Sequence, residues 1–399
     1  MTDALGPLSG IRVADFSTHA AGPFAGLMMA EMGAEVIKVE PPSGDEARRM
    51  GPFPDDAPHP EKSGLFLALN ANKLGVTLDL ASPEGSDRLL RMAESADIVV
   101  ENFHPGLMEA WGIGYERLRD ANRGLVLTSI APFGTWGPYA DFKASDLVLF
   151  HMSGHARSMT GPVEDADRDP PVRAGGHQAE LVAGLAACTA TVMALYRRRV
   201  TGLGCHVELS AYEAMVNQLI AGLANCAYGV PPPPRTHEQV KEAAAGGMVR
   251  AIGGVLPCKD GYVAISPRED AQWQRWLDLM DNPAWAGDPR FATRDAREAN
   301  SPALWEILSE WSSRYSKHEI ARWGQERRIP CFPVNTVADL LENEHLAHRE
   351  FFVEIDHPVA GPLRYPGAAA RLPGTSLPLA RRPAPLLGQH NARILGDEE

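Results

Sequence analysis

A carboxylate placed where a helix begins has chemistry open to it that the same group on an exposed strand lacks. Glu180 stands at the opening of an apolar stretch, Leu181 to Tyr196, that follows the glycine pair Gly175-Gly176. Amide dipoles at a helix N-terminus favour the ionised form by roughly 0.3–1 kcal/mol at the surface, and by more with partial burial. With an apolar wall beside it, such a carboxylate is a competent nucleophile toward an activated acyl carbon, for example that of a thioester. The same dipole makes Glu common in first turns generally, so position alone leaves both readings open.

Other constellations are weaker. His345 and His348 have helical i, i+3 spacing beside Glu342 and Glu344, but no third ligand is evident, so a solvated helix and no metal are expected. The pair Gly253-Gly254 by itself marks a turn. There is no GxSxG elbow, P-loop or HExxH, and no GxGxxG follows the first apolar run. Five cysteines without a CxxC pair argue against a disulfide framework and for reduced thiols in a cytoplasmic setting. A net charge of -13 with no dense basic stretch excludes the electrostatic footprint of a nucleic-acid binder. Met1 to Gly10 lack the basic-then-apolar pattern of an export leader, and the run from Leu181 to Tyr196 is too short for a bilayer, so no membrane span is expected.

The elements that must position these groups alternate. Ile11 to Phe16 reads as a strand, Gly22 to Met32 as a helix and Glu35 to Val39 as a strand; Gly75 to Leu80, Ser82 to Glu94 and Asp97 to Val100 repeat the pattern. Tyr115 to Ala121 and Leu125 to Ile130 add a helix and a strand, and Gln178 to Arg199 is a long helix ending at Thr201-Gly202, followed by a strand at Cys205 to Leu209. Such alternation predicts an α/β fold with a mostly parallel sheet covered on both faces. Four prolines, Pro231 to Pro234, mark a boundary: residues 1–229 form a first large part, 230–328 a small domain, and 329–399 a return segment over the large one.

Several segments together resemble the class III CoA-transferase family, of the carnitine dehydratase and bile-acid-inducible protein F type, which is related to formyl-CoA transferase and α-methylacyl-CoA racemase. They are Gly10 to Phe16 with Ala21-Gly22-Pro23, Gly33 to Glu40, Asn72-Lys73, Asp97 to Phe103, Thr201 to Gly204 and Ala384 to Gly388, six ordered matches across nearly the whole chain. The resemblance implies a Rossmann-like large domain built from both chain ends, a smaller inserted α+β domain, and a homodimer of interlocked subunits. It also implies an acyl-CoA substrate rather than a permanently bound cofactor. In the family an Asp in a pattern like Ala-Asp-Leu-x-Ala-Gly attacks the thioester, forms a mixed anhydride, takes up CoA, and hands it to an acceptor carboxylate. Here that stretch reads Ala179-Glu180-Leu181-Val182-Ala183-Gly184, with Glu for Asp.

By the same resemblance His19, Ala20, Asn70, Ala71, Asn72, Lys73, Asn102, Phe103, His104 and Lys143 are expected to contact CoA, the two lysines pairing with its phosphates. Gly253 and Gly254 correspond to a loop over the acyl group. Pro41 and Ala110 stand where transferases often carry CoA-binding arginines, which leaves Arg48 or Arg49 as substitutes. The racemase branch needs a His before an Asp where this chain has Ala144-Ser145-Asp146, and Ser has no usable pKa near neutrality. CoA transfer through Glu180 is therefore the expected activity, with an acyl-CoA racemase or isomerase and a CoA-binding homologue without turnover as alternatives.

Overall fold

The computed structural model describes residues 6–159, 163–230, 235, 254–267, 269–373 and 382–396. The chain divides into two compact units. The first comprises Met1–Met159, Pro171–Pro232 and Ala347–Glu399, and the second Thr160–Pro170 and Pro233–Leu346.

In the first unit the strands are β1 (Arg12–Asp15), β2 (Glu35–Glu40), β3 (Leu74–Thr77), β4 (Ile98–Glu101), β5 (Val126–Ala131) and β6 (Cys205–Ser210). They form one parallel sheet in the order β3-β2-β1-β4-β5-β6, the doubly wound arrangement of Rossmann-like folds. The apolar runs are nearly unbroken because both faces are buried. Val13, Val36, Ile98, Val100 and Val126 face one cluster, and Ala14, Ile37, Val39, Val99 and Leu127 face the other, alternating along each strand.

The covering helices include α1 (Ala21–Glu31), α2 (Gly64–Asn70), α3 (Pro83–Ser95), α4 (Leu107–Ala110), α5 (Tyr115–Ala121), α6 (Asp146–Met152), α7 (His155–Met159) and α8 (Gln178–Thr201). Ser82 accepts the Gly85 amide and Pro83 occupies the first turn, so α3 starts where the capping signal placed it. Helix α8 buries a stripe of small residues, Ala179, Ala183, Gly184 and Ala187 among them. The stripe lets α8 lie close on α1: a Cβ on Gly184 would sit 2.4 Å from the Ala21 carbonyl oxygen. The helix runs 24 residues, longer than the apolar run read from sequence, and is long and apolar enough by composition to cross a membrane. Its small-residue stripe is packed in the core against α1, as in a core helix.

The C-terminal segment closes the β3 edge. His390 Nδ1 accepts the Gly75 amide at 3.0 Å and Asn391 Oδ1 the Thr77 amide at 2.9 Å, which occupies an edge otherwise open to pairing.

The second unit holds the antiparallel strands β7 (Gly254–Cys258), β8 (Gly261–Ile265) and β9 (Cys331–Val334), with Trp273, Trp276, Leu308 and Ile320 in its core. Because Ile265 pairs with Cys331, this unit continues to Leu346 rather than ending at 328 as the sequence reading had it, and the return into the first unit begins at Ala347. The segment Thr160–Pro170 joins it too, through the Val163 amide and the Arg235 carbonyl at 2.8 Å. The four prolines used as a boundary signal, like Gly253, lie outside the described residues. The hairpin of β10 (Phe352–His357) and β11 (Gly361–Pro366) belongs to the first unit.

Candidate active site

Strands β1 and β4 are neighbours whose onward connections run to opposite sides, and in such sheets the crevice beyond their carboxyl ends receives ligands. The loop leaving β1 carries Thr18 and His19; the loop leaving β4 carries Asn102, Phe103 and His104. The two loops are tied by a reciprocal pair: the Thr18 amide donates to Asn102 Oδ1 at 2.8 Å, and Asn102 Nδ2 donates to the Thr18 carbonyl at 2.9 Å. His19 has a left-handed backbone, φ +68°, a conformation that costs a non-glycine residue about 1–3 kcal/mol and persists where surroundings enforce it. One enforcing contact is its amide, donated to Asp45 Oδ1 at 3.1 Å.

Glu180 reaches this crevice from the first turn of α8. The turn is capped from another helix, since the amides of Ala179 and Glu180 donate to Asp146 Oδ1 at 2.7 and 3.3 Å. Arg173 in turn holds Asp146 at 3.3 Å and the Gly176 carbonyl at 2.6 Å. The Glu180 side chain is 16% exposed and has a histidine on each oxygen. His19 Nδ1 lies 2.6 Å from Oε1 and His177 Nδ1 lies 2.9 Å from Oε2, the two rings meeting edge to face at 5.1 Å. The bond to Glu180 raises the His19 pKa above the usual imidazole range against burial, with Asp45 and Glu46 adding to the effect. Each oxygen of an ionised carboxylate keeps a further lone pair after accepting one hydrogen bond, so the clamp orients Glu180 while leaving it able to attack.

Other expected site residues lie elsewhere or play other parts. Lys73 is buried, its ammonium bonded to Asp15 Oδ2 and the Pro23 carbonyl at 2.8 Å and to Asn70 Oδ1 at 3.0 Å. This corrects the expectation that it pairs with CoA phosphates: the charge is already matched inside the protein. Asn70 and Ala71 are likewise buried, Asn70 also donating to the Phe66 carbonyl at 3.0 Å, while Asn72, at φ +67°, accepts the Arg382 amide at 2.6 Å. Arg48 is no substitute for a CoA-binding arginine either; it is buried, paired with Glu40 at 2.6 Å and Glu61 at 2.6 Å, and stacked on Phe66. Arg49, His104 and Lys143 are exposed, and Ala20 is buried as it leads into α1. Gly254 opens β7 in the second unit. His345 and His348 fall in the short helix Glu344–His348, where among the described residues they form no metal-binding group. His177 was missed by sequence reasoning, although its spacing three residues before Glu180 is a signal a helix would have made legible.

This architecture, with a carboxylate at the crevice, has close parallels. A family model described as CoA-transferase family III matches residues 8–391. The chain belongs to CoA-transferase family III. Among relatives of this transferase are a succinate–glutarate CoA-transferase of Agrobacterium fabrum, 31% identical over 98% of this chain and 96% of the relative, and a formyl-CoA:oxalate CoA-transferase of Streptomyces avermitilis, 32% identical over 98% and 97%. The crystal structure of a CAIB/BAIF family protein from Brucella suis superposes with a TM-score of 0.85 at 29% identity, covering 98% of this chain and 99% of that one.

A second polar cluster in the transferase lies at the ends of β4 and β5, around a cavity of about 260 Å³ lined by Phe103, His104, Ser129, Glu109 and His206. Ser129 Oγ is 2.8 Å from His206 Nε2, and Glu101 Oε2 accepts the Phe103 amide at 2.7 Å. Burial pushes the Glu101 pKa from 4.5 up to about 7, against the hydrogen bonds from Ser129 and Phe103. The folded protein therefore holds a proton on Glu101 that the unfolded chain has released between those values, and stability falls as pH rises through the window, by roughly 3 kcal/mol. Glu101→Gln is expected to remove this decline. Denaturant unfolding at about pH 5 and about pH 8 should show the variant gaining 2–3 kcal/mol or so on the parent between the two; an unchanged gap contradicts the assignment.

Proposed function

We propose that this transferase moves CoA from an acyl-CoA to a carboxylic acid through a covalent intermediate on Glu180. The observation that carries the reading is the placement of Glu180 in the switch-point crevice, with one histidine on each of its oxygens. The Glu180 carboxylate attacks the thioester carbonyl, giving a mixed glutamyl anhydride and CoA thiolate. The thiolate attacks the Glu180 carbonyl and releases the donor acid, leaving a glutamyl-CoA thioester. An acceptor carboxylate then attacks that thioester, and the returning thiolate takes the new acyl group and frees Glu180. No net proton is consumed. Both histidines lie on the one carboxylate rather than on opposed sides of a substrate, which favours nucleophilic attack over two-base racemisation.

The named relatives act on succinate, glutarate and oxalate, which supports small dicarboxylic acids as substrates. CoA is taken to run past Asn102, Phe103 and His104, a reading supported by the cavity beside Phe103 and His104, with exposed Lys143 offering a phosphate partner and Gly253 and Gly254 serving the acyl end. The finer family picture also belongs to this proposal: an inserted small domain and two interlocked copies. The outer face of α8, with Leu185, Met193, Tyr196 and Val200 exposed, supports burial against a second copy. All five cysteines are free, which supports work in the reducing cytoplasm.

The test is trapping. With succinyl-CoA as donor and no acceptor, hydroxylamine should convert Glu180 to a hydroxamate found by mass spectrometry of its peptide. Transfer to glutarate that proceeds while Glu180 stays unmodified under the same trap defeats the reading.

A further inference from the structure

His19 and His177 come from distant parts of the chain, yet with Glu180 they place three ligand atoms within 4.8 Å of one another. Two imidazoles and a carboxylate are a donor set that suits zinc and its neighbours among the divalent transition ions, and three protein ligands leave the fourth position open. The three donor atoms lie within side-chain rotation of the spacing a tetrahedral ion needs. With ligand bonds of about 2.0–2.2 Å, donors sit roughly 3.3 Å apart. His19 Nδ1 lies 2.6 Å from Oε1 and His177 Nδ1 2.9 Å from Oε2, so an ion held on either oxygen needs its nearer nitrogen to retreat by less than about 1 Å while the other ring turns in from within 4.8 Å. The side chains are 26%, 28% and 16% exposed, which leaves an entry path for an ion while keeping most of each ligand out of water.

We propose that His19, His177 and Glu180 form a divalent transition-metal site, filled by Zn²⁺, and that the ion blocks transfer by occupying the carboxylate electrons needed for attack. The blocking half rests on the reading of Glu180 as nucleophile; the binding half does not. Binding replaces the two His–Glu180 hydrogen bonds, each Nδ1 proton passing to Nε2 of the ring or to solvent, and the change reverses when the ion leaves, so its removal restores the free carboxylate. The surroundings also hold the ligands in place. Asp45 fixes the His19 amide and Asp146 fixes the amides of Ala179 and Glu180, so the donors are anchored through their backbones before any ion arrives.

Co²⁺ replaces Zn²⁺ as a visible probe in such sites. Titration of the full chain with Co²⁺ in a non-chelating buffer should give a tetrahedral or five-coordinate visible spectrum saturating at one ion per chain, without the charge-transfer absorption of a thiolate ligand. Zn²⁺ should displace it. His19→Ala and His177→Ala should each weaken Co²⁺ binding at least about tenfold, a loss seen even for changes behind a ligand, with circular dichroism confirming that the variants fold. Zn²⁺ should inhibit transfer from succinyl-CoA competitively and EDTA should reverse it. An unchanged cobalt spectrum in the folded His19→Ala/His177→Ala double variant overturns the site. A histidine-dependent cobalt spectrum with transfer unaffected at saturating Zn²⁺ keeps the site and instead overturns Glu180 as the nucleophile.

Discussion

Glu180→Gln is expected to lower CoA transfer by roughly six orders of magnitude, the scale on which removal of a nucleophile acts in covalent catalysis. The amide is nearly isosteric. One histidine can still donate to its oxygen, and the other, in the alternative tautomer, can accept from its NH₂, so the clamp by His19 and His177 survives while the attacking electron pair is lost. Helix α8 keeps its start as well, since its first amides are capped by Asp146 and not by residue 180. Melting temperature should therefore hardly move, and covalent trapping should vanish together with turnover. The family's own residue gives a sharper contrast. Glu180→Asp draws the carboxylate back by over about 1 Å from histidines spaced for the longer side chain, and a misplacement of that size costs on the order of a hundredfold. Steady-state assays of both variants decide the matter. Glu180→Gln retaining more than a tenth of the activity, or Glu180→Asp exceeding the parent, contradicts a site tuned to Glu.

What was legible in the sequence follows from the range over which each feature is determined. The alternating strands and helices from Ile11 to Ala131 were visible because both faces of the sheet are buried, which writes near-continuous apolar runs into the chain; the helix Tyr115–Ala121 matches its expected bounds. The helix Gly64–Asn70 was missed because it is two turns long and its one local signal, Ser63 accepting the Phe66 amide at 3.2 Å, is shared with many turns. The end of the second unit was misplaced because it is set by pairing of Cys331 with Ile265, a contact that no local period reports. Glu180 was singled out by its place at a helix start and then by its motif, but its partner His19 lies 161 residues away, and His177 gains meaning only once that loop is in place. Lys73 shows the opposite failure: it was read as a surface lysine for CoA phosphate, whereas its ammonium is buried against Asp15, the Pro23 carbonyl and Asn70.

Lys73→Met is accordingly expected to act on stability and not on nucleotide affinity. Asp15 and Lys73 are fully buried with their charges 2.8 Å apart. Burial opposes ionisation of Asp15, yet the Lys73 and Lys38 ammoniums outweigh it and hold the pKa below the usual carboxylate range. Burial brings Lys73 down to about 8 despite Asp15, so the pair is ionised at neutral pH with little to spare. Removing Lys73 leaves the buried Asp15 charge with only Lys38 near it, itself paired with Asp45 at 2.7 Å; breaking a buried pair in this way costs about 3–5 kcal/mol, whereas replacing both partners by apolar groups costs far less. Urea unfolding should show that loss for Lys73→Met, and a strongly sub-additive loss for Asp15→Leu/Lys73→Met. The damage should also reach the site, because Asp15 accepts the Ser17 amide at 3.1 Å at the root of the loop that presents His19. A lysine bound to CoA phosphate behaves otherwise: its loss raises the KM for acyl-CoA, the effect fades as salt increases, and stability stays level. The two patterns differ in their effect on stability, so a Lys73→Met protein as stable as the parent but weaker for acyl-CoA at low salt returns Lys73 to the binding surface.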